Sequence, residues 1–261
     1  MNFVSVVFLP FSTKKVFLGK IPNCMKGFLL GIFLINILNA AQHNFYIGVN
    51  VGMTGFSAKT NNEVSNDQPA LQRLHTDKSI RSKSVLGGFY IGYILRLQNF
   101  GMGTEVSWQY TNLEKTLDGK FFDLGANDNL YFVVKNKLTS QVEFVLKPGY
   151  FIYDYFTYAI LGFNLQNMRC DYSAAGETAG EIKNFSDKKS RYVRGYTFGA
   201  GFQKNVYETI ALGLEFKFSK FPERNYKFDL PHNPGDSEIT LSSKVKDIQT
   251  YSCSLRFMYT F

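Results

Sequence analysis

The sequence has no long hydrophobic run after its first forty residues, and it has few cysteines. A membrane-spanning helix needs about 20 consecutive apolar residues, and no such run follows Ala41, which argues against a bundle of spanning helices. Beyond Cys24 only Cys170 and Cys253 remain, far apart and without a Cys-X-X-Cys pair or a Cys/His cluster. This argues against a disulfide scaffold and a zinc site. We therefore expect no metal and no cofactor.

The excess of positive charge is largely confined to the start of the chain. The whole sequence carries 29 Lys and Arg against 21 Asp and Glu. Residues 1–40 contain four lysines and no acid, which leaves 25 basic against 21 acidic residues, a balance of +4. Proteins that bind nucleic acid concentrate their basic residues on one face. We therefore expect no nucleic-acid partner.

Residues 25–41, MKGFLLGIFLINILNAA, have the layout of a secretory signal peptide. Lys26 gives the positive start, an apolar run follows, and Ala40 offers a small residue for cleavage, with a cut after Ala41 left open. The run is too short for a membrane anchor. We expect translation to start at Met25, with Met1 as the alternative, so that residues 1–24 form an upstream extension.

Alternation dominates the remaining chain, residues 44–261, which is rich in Phe and Tyr. Eight segments place apolar residues at every second position, with small or polar residues between them. In the first segment Phe45, Ile47 and Val49 face one side, and Gly48 and Asn50 face the other. Strict alternation over about ten residues indicates a β-strand between two different environments.

The polar side of these segments is rich in Gly, Ser and Thr, which favours a narrow interior over a water-facing surface. The apolar side should then face lipid, and we expect Ile47, Phe89, Leu212 and Leu255 to point outward. Leu138 is assigned to the same outward face of the fourth segment. A soluble lipocalin-like barrel, with the apolar residues inside, is the opposite interpretation.

The connections between segments alternate in length. Those after segments two, four and six are short, at residues 98–101, 153–155 and 205–208. The other four are long: Ser57–Lys83, Leu113–Lys137, Gln166–Arg191 and Ser219–Asp247. Short turns on one rim and long loops on the other are typical of outer-membrane barrels. The pattern predicts an all-β, eight-stranded antiparallel up-and-down transmembrane β-barrel with four long extracellular loops and short periplasmic turns.

The leader, the eight segments and the closing pattern Phe257-Met258-Tyr259-Thr260-Phe261 resemble the small eight-stranded outer-membrane barrels of the OmpA/OmpX type. The composition also resembles that of the Helicobacter outer membrane protein family. The resemblance implies export to a Gram-negative outer membrane and contact with its lipid and lipopolysaccharide. It also implies that Phe257, Tyr259 and Phe261 are read by the outer-membrane assembly machinery.

Seven charged residues point into the predicted barrel. By their parity in the strands these are Arg96, Glu105, Glu143, Lys147, Glu215, Lys217 and Arg256. An unpaired buried charge is strongly unfavourable, so we expect pairs: Glu105 with Arg96 or Lys147, and Glu215 with Arg256. Eight strands leave space only for side chains, which favours a closed, ion-paired interior. A polar pore or gate is the alternative.

Catalytic chemistry in the loops is sparse. The three histidines, His43, His75 and His232, do not stand two residues from a serine as in barrel lipid A deacylases. A set of Ser84, His75 and Asp77 can be written down, but loop-rich proteins generally allow one. Asp123 and Asp128 lack the spacing of a calcium loop and fit a turn. We therefore assign no catalytic, cofactor-binding or metal-binding residue.

These observations predict a non-enzymatic outer-membrane barrel whose loops contact lipopolysaccharide or a host surface ligand. Lys and Arg in the loops either bind lipopolysaccharide phosphates or are ordinary solvated charges. A narrow porin-like channel and a lipid-modifying enzyme are the two alternative functions.

Overall fold

The computed structural model describes residues 42–66, 74–122, 129–178, 181–230 and 239–261. The predicted signal peptide and the upstream residues 1–24 lie outside the described residues. Within the described ranges, no helix has the length and hydropathy of a membrane span. The described residues form nine strands: β1 Gln42–Asn66, β2 Leu74–Leu97, β3 Phe100–Phe122, β4 Asn129–Ile152, β5 Tyr155–Thr178, β6 Glu181–Asn205, β7 Ile210–Phe221, β8 Arg224–Leu230 and β9 Ile239–Thr260.

The strands form one antiparallel sheet that closes on itself. Each strand from β1 to β7 pairs with the next one, β7 pairs with β9, and β9 pairs back to β1. Both β7 and β8 lie along β9, on successive stretches of it. They are therefore one position in the wall, interrupted at Pro222, which lacks the backbone N–H that a ladder needs. The ring has eight positions, which confirms the predicted architecture.

Short turns join the strands at one rim. Gln98-Asn99 connects β2 to β3, Tyr153-Asp154 connects β4 to β5, and residues 206–209 connect β6 to β7. Gln98 and Tyr153 have φ values of 53° and 54°, the left-handed geometry that tight hairpins use. The prediction of short turns at these three places is confirmed.

The predicted long loops are wrong in one respect, because the strands continue through most of them. A strand needs about 9–11 residues to cross a bilayer, whereas β1 alone has 25 residues, roughly 80 Å at about 3.3 Å per residue. The outer part of each long strand thus lies beyond one membrane thickness. We call this part the extension: residues 57–66, 74–83, 112–122, 129–140, 167–178, 181–194, 220–230 and 239–249.

The half of the barrel with the short turns carries an exposed apolar belt. Ile47, Phe89, Leu212 and Leu255 are 45%, 59%, 50% and 62% exposed. Apolar residues on the outside of a closed sheet fit a lipid environment, where every backbone group must be paired within the protein. The predicted outward orientation is confirmed, and the lipocalin-like interpretation is wrong for this half.

Leu138 is the exception among the predicted outward residues. It is 1% exposed and lies inside the barrel. The register between β4 and β5 shifts between Leu138 and Gln141. A bulge of this kind reverses which face the following residues occupy. Simple parity, counted back from Val142, therefore placed Leu138 on the wrong side.

Glycines on the inner face make room for two tyrosine rings. Tyr46 lies against Gly92, and Tyr90 lies against Gly48, so closely that a Cβ atom on either glycine would overlap the facing ring. Tyr46 and Tyr90 are both buried, with ring centroids 6.0 Å apart. Each tyrosine ring thus occupies the space that a side chain at the facing glycine would take, and together they fill the narrow interior.

The extension has the opposite distribution of polarity. Its interior is a buried apolar core of Phe56, Ala58, Ile80, Leu113, Leu117, Val134, Leu138, Met168, Cys170, Tyr172, Val193, Phe221, Tyr226, Phe228, Val245 and Ile248. Its outer face carries charged residues such as Lys59, Arg81 and Lys188, all exposed. The extension therefore resembles a small water-soluble β-domain, with an apolar inside and a charged outside, joined to the belt by the same strands.

Within the described ranges, the wall of the extension is unpaired at two places: the ladder between β2 and β3 covers only the belt, and β8 does not pair with β6. We call the gap between β6 and β8 the seam. β6 pairs with β7 only from Tyr196 to Asn205, and β8 pairs with β9. Over the described residues, no ladder joins β6 to β8. Lys189 crosses the seam, donating a hydrogen bond to the Lys227 carbonyl and lying 4.9 Å from the centre of the Phe228 ring.

Candidate functional site

Six charged side chains meet inside the belt. The ammonium of Lys147 lies 2.6 Å from a Glu105 carboxylate oxygen and 2.7 Å from one of Glu215. Arg256 bridges the same two acids, at 2.5 Å from Glu105 and in direct contact with Glu215. Because Lys147 is on β4 and Glu215 on β7, these ion pairs cross the lumen between strands that are not neighbours.

Lys217 links this cluster to Glu143. Its ammonium lies 2.7 Å from Glu143 and 3.2 Å from Glu215. We call the six residues the lumen network: Glu105, Glu143, Lys147, Glu215, Lys217 and Arg256. Three acids face three bases, and all six are at most 6% exposed. The arrangement neutralises each buried charge with a partner, as burial requires.

Tyrosines complete the coordination of the two central carboxylates. Tyr46 donates a hydrogen bond of 2.9 Å to Glu105, and Tyr158 donates one of 2.8 Å to Glu215. The guanidinium of Arg256 lies 3.6 Å from the centre of the Tyr90 ring. Hydrogen bonds to charged acceptors are the stronger kind, so the lumen network is held by both ion pairs and neutral donors.

Arg96 is the predicted lumen charge that does not join the lumen network. It lies near the end of β2, where its Nε donates a 3.0 Å hydrogen bond to the Gln98 carbonyl. Its guanidinium lies 4.3 Å from the centre of the Phe151 ring. Of the two partners expected for Glu105, Lys147 is the one that forms the ion pair. The expected contact between Glu215 and Arg256 is also present.

Buried polar and apolar side chains fill the lumen on both sides of this network. Toward the extension, the Gln141 amide donates a 2.7 Å hydrogen bond to Gln109, and Gln109 donates one of 3.2 Å to Glu143. Toward the short turns lies a cluster of Tyr46, Tyr90, Ile94, Val145, Phe156, Tyr158, Ile160, Ala211 and Met258. Charged, amide and apolar layers are thus stacked along the axis.

A set of basic residues follows the outer end of the apolar belt. On six of the eight wall positions, a Lys or Arg is the first charged residue beyond the outward apolar run. We call these six residues the border cations: Lys59, Lys83, Lys137, Arg169, Arg194 and Lys220. They lie where the belt gives way to the charged outer face of the extension.

Half of the border cations have an acidic partner. Lys59 lies 3.0 Å from Asp247, Lys137 lies 3.8 Å from Glu114, and Arg169 lies 2.5 Å from Asp171. The Lys59 ammonium beside Asp247 holds the pKa of that carboxyl below its usual value. Lys83, Arg194 and Lys220 form no ion pair with any residue of the described ranges. The border therefore keeps three unpaired positive charges.

The residues considered for catalysis do not assemble into a triad. His75 and Ser84 lie on the same continuous strand, β2, nine positions apart, which places their backbones roughly 30 Å from each other at about 3.3 Å per residue. Asp77 lies between them on that strand. Asp123, Asp128 and His232 lie outside the described residues. Among the residues that the structure describes, no group of His, Cys, Asp and Glu could hold a metal ion.

The buried thiol of the extension is also unsuited to chemistry. Burial, and secondarily the neighbouring Asp171 carboxylate, raise the pKa of Cys170 to about 12. A cysteine reacts as its thiolate, so Cys170 is a packing residue of the apolar core. Its Sγ belongs to a side chain that is fully buried.

The border cations and the core of the extension were missed by sequence reasoning in different ways. The cations lie in or beside the predicted long loops, and each follows the end of an apolar run, which is a readable signal. The core residues had no such signal, because bulges between Tyr110 and Leu113 and between Leu138 and Gln141 interrupt the alternation.

Comparison with known proteins gives a family and several structural likenesses. The outer membrane protein β-barrel domain matches residues 28–261. A comparison with curated sequences gave no match. The protease OmpT from Escherichia coli is 8% identical with a TM-score of 0.43, covering 84% of this chain and 97% of its own. OprG from Pseudomonas aeruginosa is 12% identical with a TM-score of 0.42, covering 84% and 96%.

Ail from Yersinia pestis is 14% identical with a TM-score of 0.28, covering 81% of this chain and 97% of its own. The narrower resemblance to the Helicobacter family stays a prediction, as does the role of Phe257, Tyr259 and Phe261 in assembly. The family match spans every described strand. The chain therefore belongs to the outer membrane protein β-barrel domain family and is a protein of the Gram-negative outer membrane.

Proposed function

We propose that this protein is a closed, non-enzymatic barrel that presents its extension at the cell surface and contacts the phosphates of lipopolysaccharide through the border cations. The observation that carries this proposal is the position of those cations. Each stands where an outward apolar run ends, which is the depth of the lipid headgroups for a protein whose belt fills the hydrocarbon layer.

Charge and chemistry at this depth support the proposal. Lysine and arginine near an anionic lipid surface contribute about 1 kcal/mol each, and arginine can bind a phosphate through two parallel hydrogen bonds. The six border cations face only three acids, Glu114, Asp171 and Asp247. The unpaired ones, Lys83, Arg194 and Lys220, are the strongest candidates for phosphate contact.

The filled lumen argues for a structural role over a channel. The lumen network, the amide layer and the two apolar clusters occupy the interior along the described strands. We expect no large, steady conductance when the purified protein is inserted into planar bilayers. A reproducible open channel would support the porin-like alternative instead.

Contact with a host surface ligand and modification of lipid are two further functions, and each has its own test. A host surface ligand could only reach the extension, since the belt is embedded in lipid, and binding of intact cells to a host surface before and after deletion of the gene tests that contact. The lipid-modifying alternative is tested by comparing lipid A and phospholipid composition in the same deletion strain. We expect the composition to be unchanged.

The central experiment titrates the folded protein in detergent with lipopolysaccharide and follows its unfolding temperature by the mobility of unboiled samples on gels. We expect lipopolysaccharide to raise this temperature, because it binds the folded barrel and not the unfolded chain. The triple variant Lys83→Gln, Arg194→Gln, Lys220→Gln should lose most of the increase.

A variant with the same loss of charge provides the control. Lys115→Gln, Lys188→Gln, Lys227→Gln removes three exposed cations that lie farther out on the extension. It should respond to lipopolysaccharide as the natural protein does. Equal responses of all three proteins, or no response of the natural protein, would count against the proposal.

A further inference from the structure

An outward-facing groove of about 840 Å³ lies where the belt meets the seam. Its apolar lining comes from Phe163 and Leu165 on β5, Tyr196 and Phe198 on β6, and Pro222 after β7. We propose that this groove holds one phosphorylated, acylated glycolipid molecule of the outer leaflet, with an acyl chain along the groove and a phosphate between Arg194 and Lys220. This inference rests on the proposed function and assigns it a specific site.

The groove exists because the seventh wall position is interrupted. The pairing of β6 with β7 ends at Tyr196 and Lys220, and Pro222 ends β7 shortly beyond. Gly195 contributes no side chain, and a Cβ there would lie 2.5 Å from the Phe221 ring. The wall thus loses its ladder at this level, where Gly195 also adds no side chain to the inner face.

The residues of the groove form ordered rows across three strands. Phe163, Tyr196 and Lys220 are register partners on β5, β6 and β7. Arg194 is two residues farther along β6, opposite Leu165. Diagonal neighbours in a sheet have Cα atoms about 7–8 Å apart, so Arg194 and Lys220 can both reach one phosphate group.

The charge at the upper end of the groove is uncompensated. Arg194 and Lys220 make no ion pair within the described ranges. Lys220 is near enough to Asp247 to help lower the pKa of that carboxyl, but the Asp247 carboxylate lies 3.0 Å from the Lys59 ammonium, with which it forms an ion pair. The complementary occupant is therefore an anion, and a guanidinium beside an ammonium suits a phosphate.

The apolar lining selects a lipid over a free anion. Phe163 and Phe198 belong to the exposed apolar belt, at 51% and 52% exposure, so the lower part of the groove opens to the hydrocarbon layer. A hydrocarbon chain is the solvent available at that depth. Only a molecule that joins a chain to a phosphate fills both ends of the groove.

Native mass spectrometry of the folded full chain in detergent, titrated with bis-phosphorylated lipid A, tests the assignment. We expect a first lipid A molecule to bind more tightly than later ones. In Arg194→Gln/Lys220→Gln, that first molecule should bind about a hundredfold more weakly, taking about tenfold for each lost charged hydrogen bond. The matched pair Arg81→Gln/Lys115→Gln removes one arginine and one lysine from exposed positions on β2 and β3, away from the groove, and should keep it.

A second variant tests the apolar end without changing charge. Leu165→Trp places a large side chain in the groove and should also lose the first lipid A molecule. Val49→Trp makes the same kind of change on β1, away from the groove, and should retain it. Gel mobility before and after boiling shows that each variant is folded.

The outcomes separate this inference from the proposed function. If both charge pairs weaken binding equally, lipid A follows the overall positive charge of the extension, so the specific site is wrong. The proposed function still stands if the lipopolysaccharide titration separates its two triple variants. If inorganic phosphate displaces lipid A completely at millimolar concentration, or dephosphorylated lipid A binds as tightly, the joint recognition of chain and phosphate is wrong. If the natural protein binds no lipid A, both proposals fail.

Discussion

The belt and the extension are made by the same strands but have opposite insides. In the belt, apolar residues such as Leu255 face outward and charged residues such as Glu215 face inward. In the extension, Leu113 and Phe228 are buried inside and lysines cover the outside. The same strands are thus compatible with lipid in the belt and with water in the extension. Where the strands leave the lipid, apolar residues move from the outer to the inner face and charged residues move to the outer face.

The exchange means that the two regions are stabilised by different interactions. Lipid tails are as apolar as leucine, so the outer face of the belt gains little from packing away from its solvent. The belt depends on its closed ladder and on the lumen network. The extension is surrounded by water, and burial of its core contributes about 25 cal/mol for each Å² of apolar surface.

The largest effect should come from removing one acid of the lumen network. Glu215→Gln leaves Lys147, Lys217 and Arg256 with too little negative charge in a buried site. Removing one partner of a buried ion pair typically lowers the free energy of unfolding by about 3–5 kcal/mol. Urea unfolding in lipid vesicles measures the loss, with the exposed Lys188→Gln as control. A loss under about 1 kcal/mol would show that the network does not hold the belt.

Truncating a leucine should separate the two regions. Leu113→Ala, in the core of the extension, should cost about 2–5 kcal/mol because it leaves a cavity. Leu212→Ala, on the lipid-facing side of the belt, leaves a space that lipid can fill and should cost less. Hydrogen exchange of the extension and urea unfolding measure both. Equal losses would contradict the difference in solvent between the regions.

A new charge on the outer surface should lower the stability of the belt more than that of the extension, the opposite order to the leucine truncations. Leu255→Arg places a cation against lipid, which costs about 2–4 kcal/mol near the bilayer midplane. Asn225→Arg makes the same addition on the outer face of the extension and should stay within about 0.5 kcal/mol of the natural protein. If Asn225→Arg is the more damaging change, the boundary between belt and extension is misplaced.

The smallest effect concerns the thiol of Cys170. The thiol of Cys170 has a pKa of about 8.5 in the unfolded chain, and burial raises its pKa to about 12 in the folded protein. As pH rises, the unfolded chain therefore loses the thiol proton first. The stability that depends on this group is complete below pH 8.5 and declines as pH rises toward 12. In a Cys253→Ser background at pH 8.5, a water-soluble maleimide should label the folded protein at least about a hundredfold more slowly than the urea-unfolded chain.

Labelling of the folded protein at the unfolded rate would contradict burial of Cys170 in the core of the extension. The Cys253→Ser background is suitable because Cys253 is exposed on the belt and would otherwise give a second labelling site.

Much of the belt could be predicted from sequence because alternation is a local property. Ile47 and Phe89 could be assigned to the outer face, and the turn at Gln98 could be placed, from neighbouring residues alone. The order of strands followed from the short turns. The charges of the lumen network were also identified by parity, since Glu105 and Arg256 sit in uninterrupted alternating segments.

The rest depended on contacts between distant parts of the chain. The pair of Lys147 with Glu215 crosses the lumen between β4 and β7, and no local pattern encodes which of several bases meets which acid. The sequence predicts loops where the extension stands, because bulges such as the one beside Leu138 shift the alternation. Pro222 marks a point where a strand is interrupted in the sequence. That the wall of the barrel continues beyond it is visible only from the pairing of both β7 and β8 with β9.

The filled lumen has a consequence for how the protein reaches its final position. In the proposed orientation, the extension and its charged outer face stand on the far side of the bilayer from the periplasm, where the chain arrives. Once Glu105, Glu215 and Arg256 are locked together, nothing as wide as a β-hairpin can pass through the ring. The hairpins should therefore cross before the first and last strands join, which makes the pairing of β1 with β9 a late step of biogenesis.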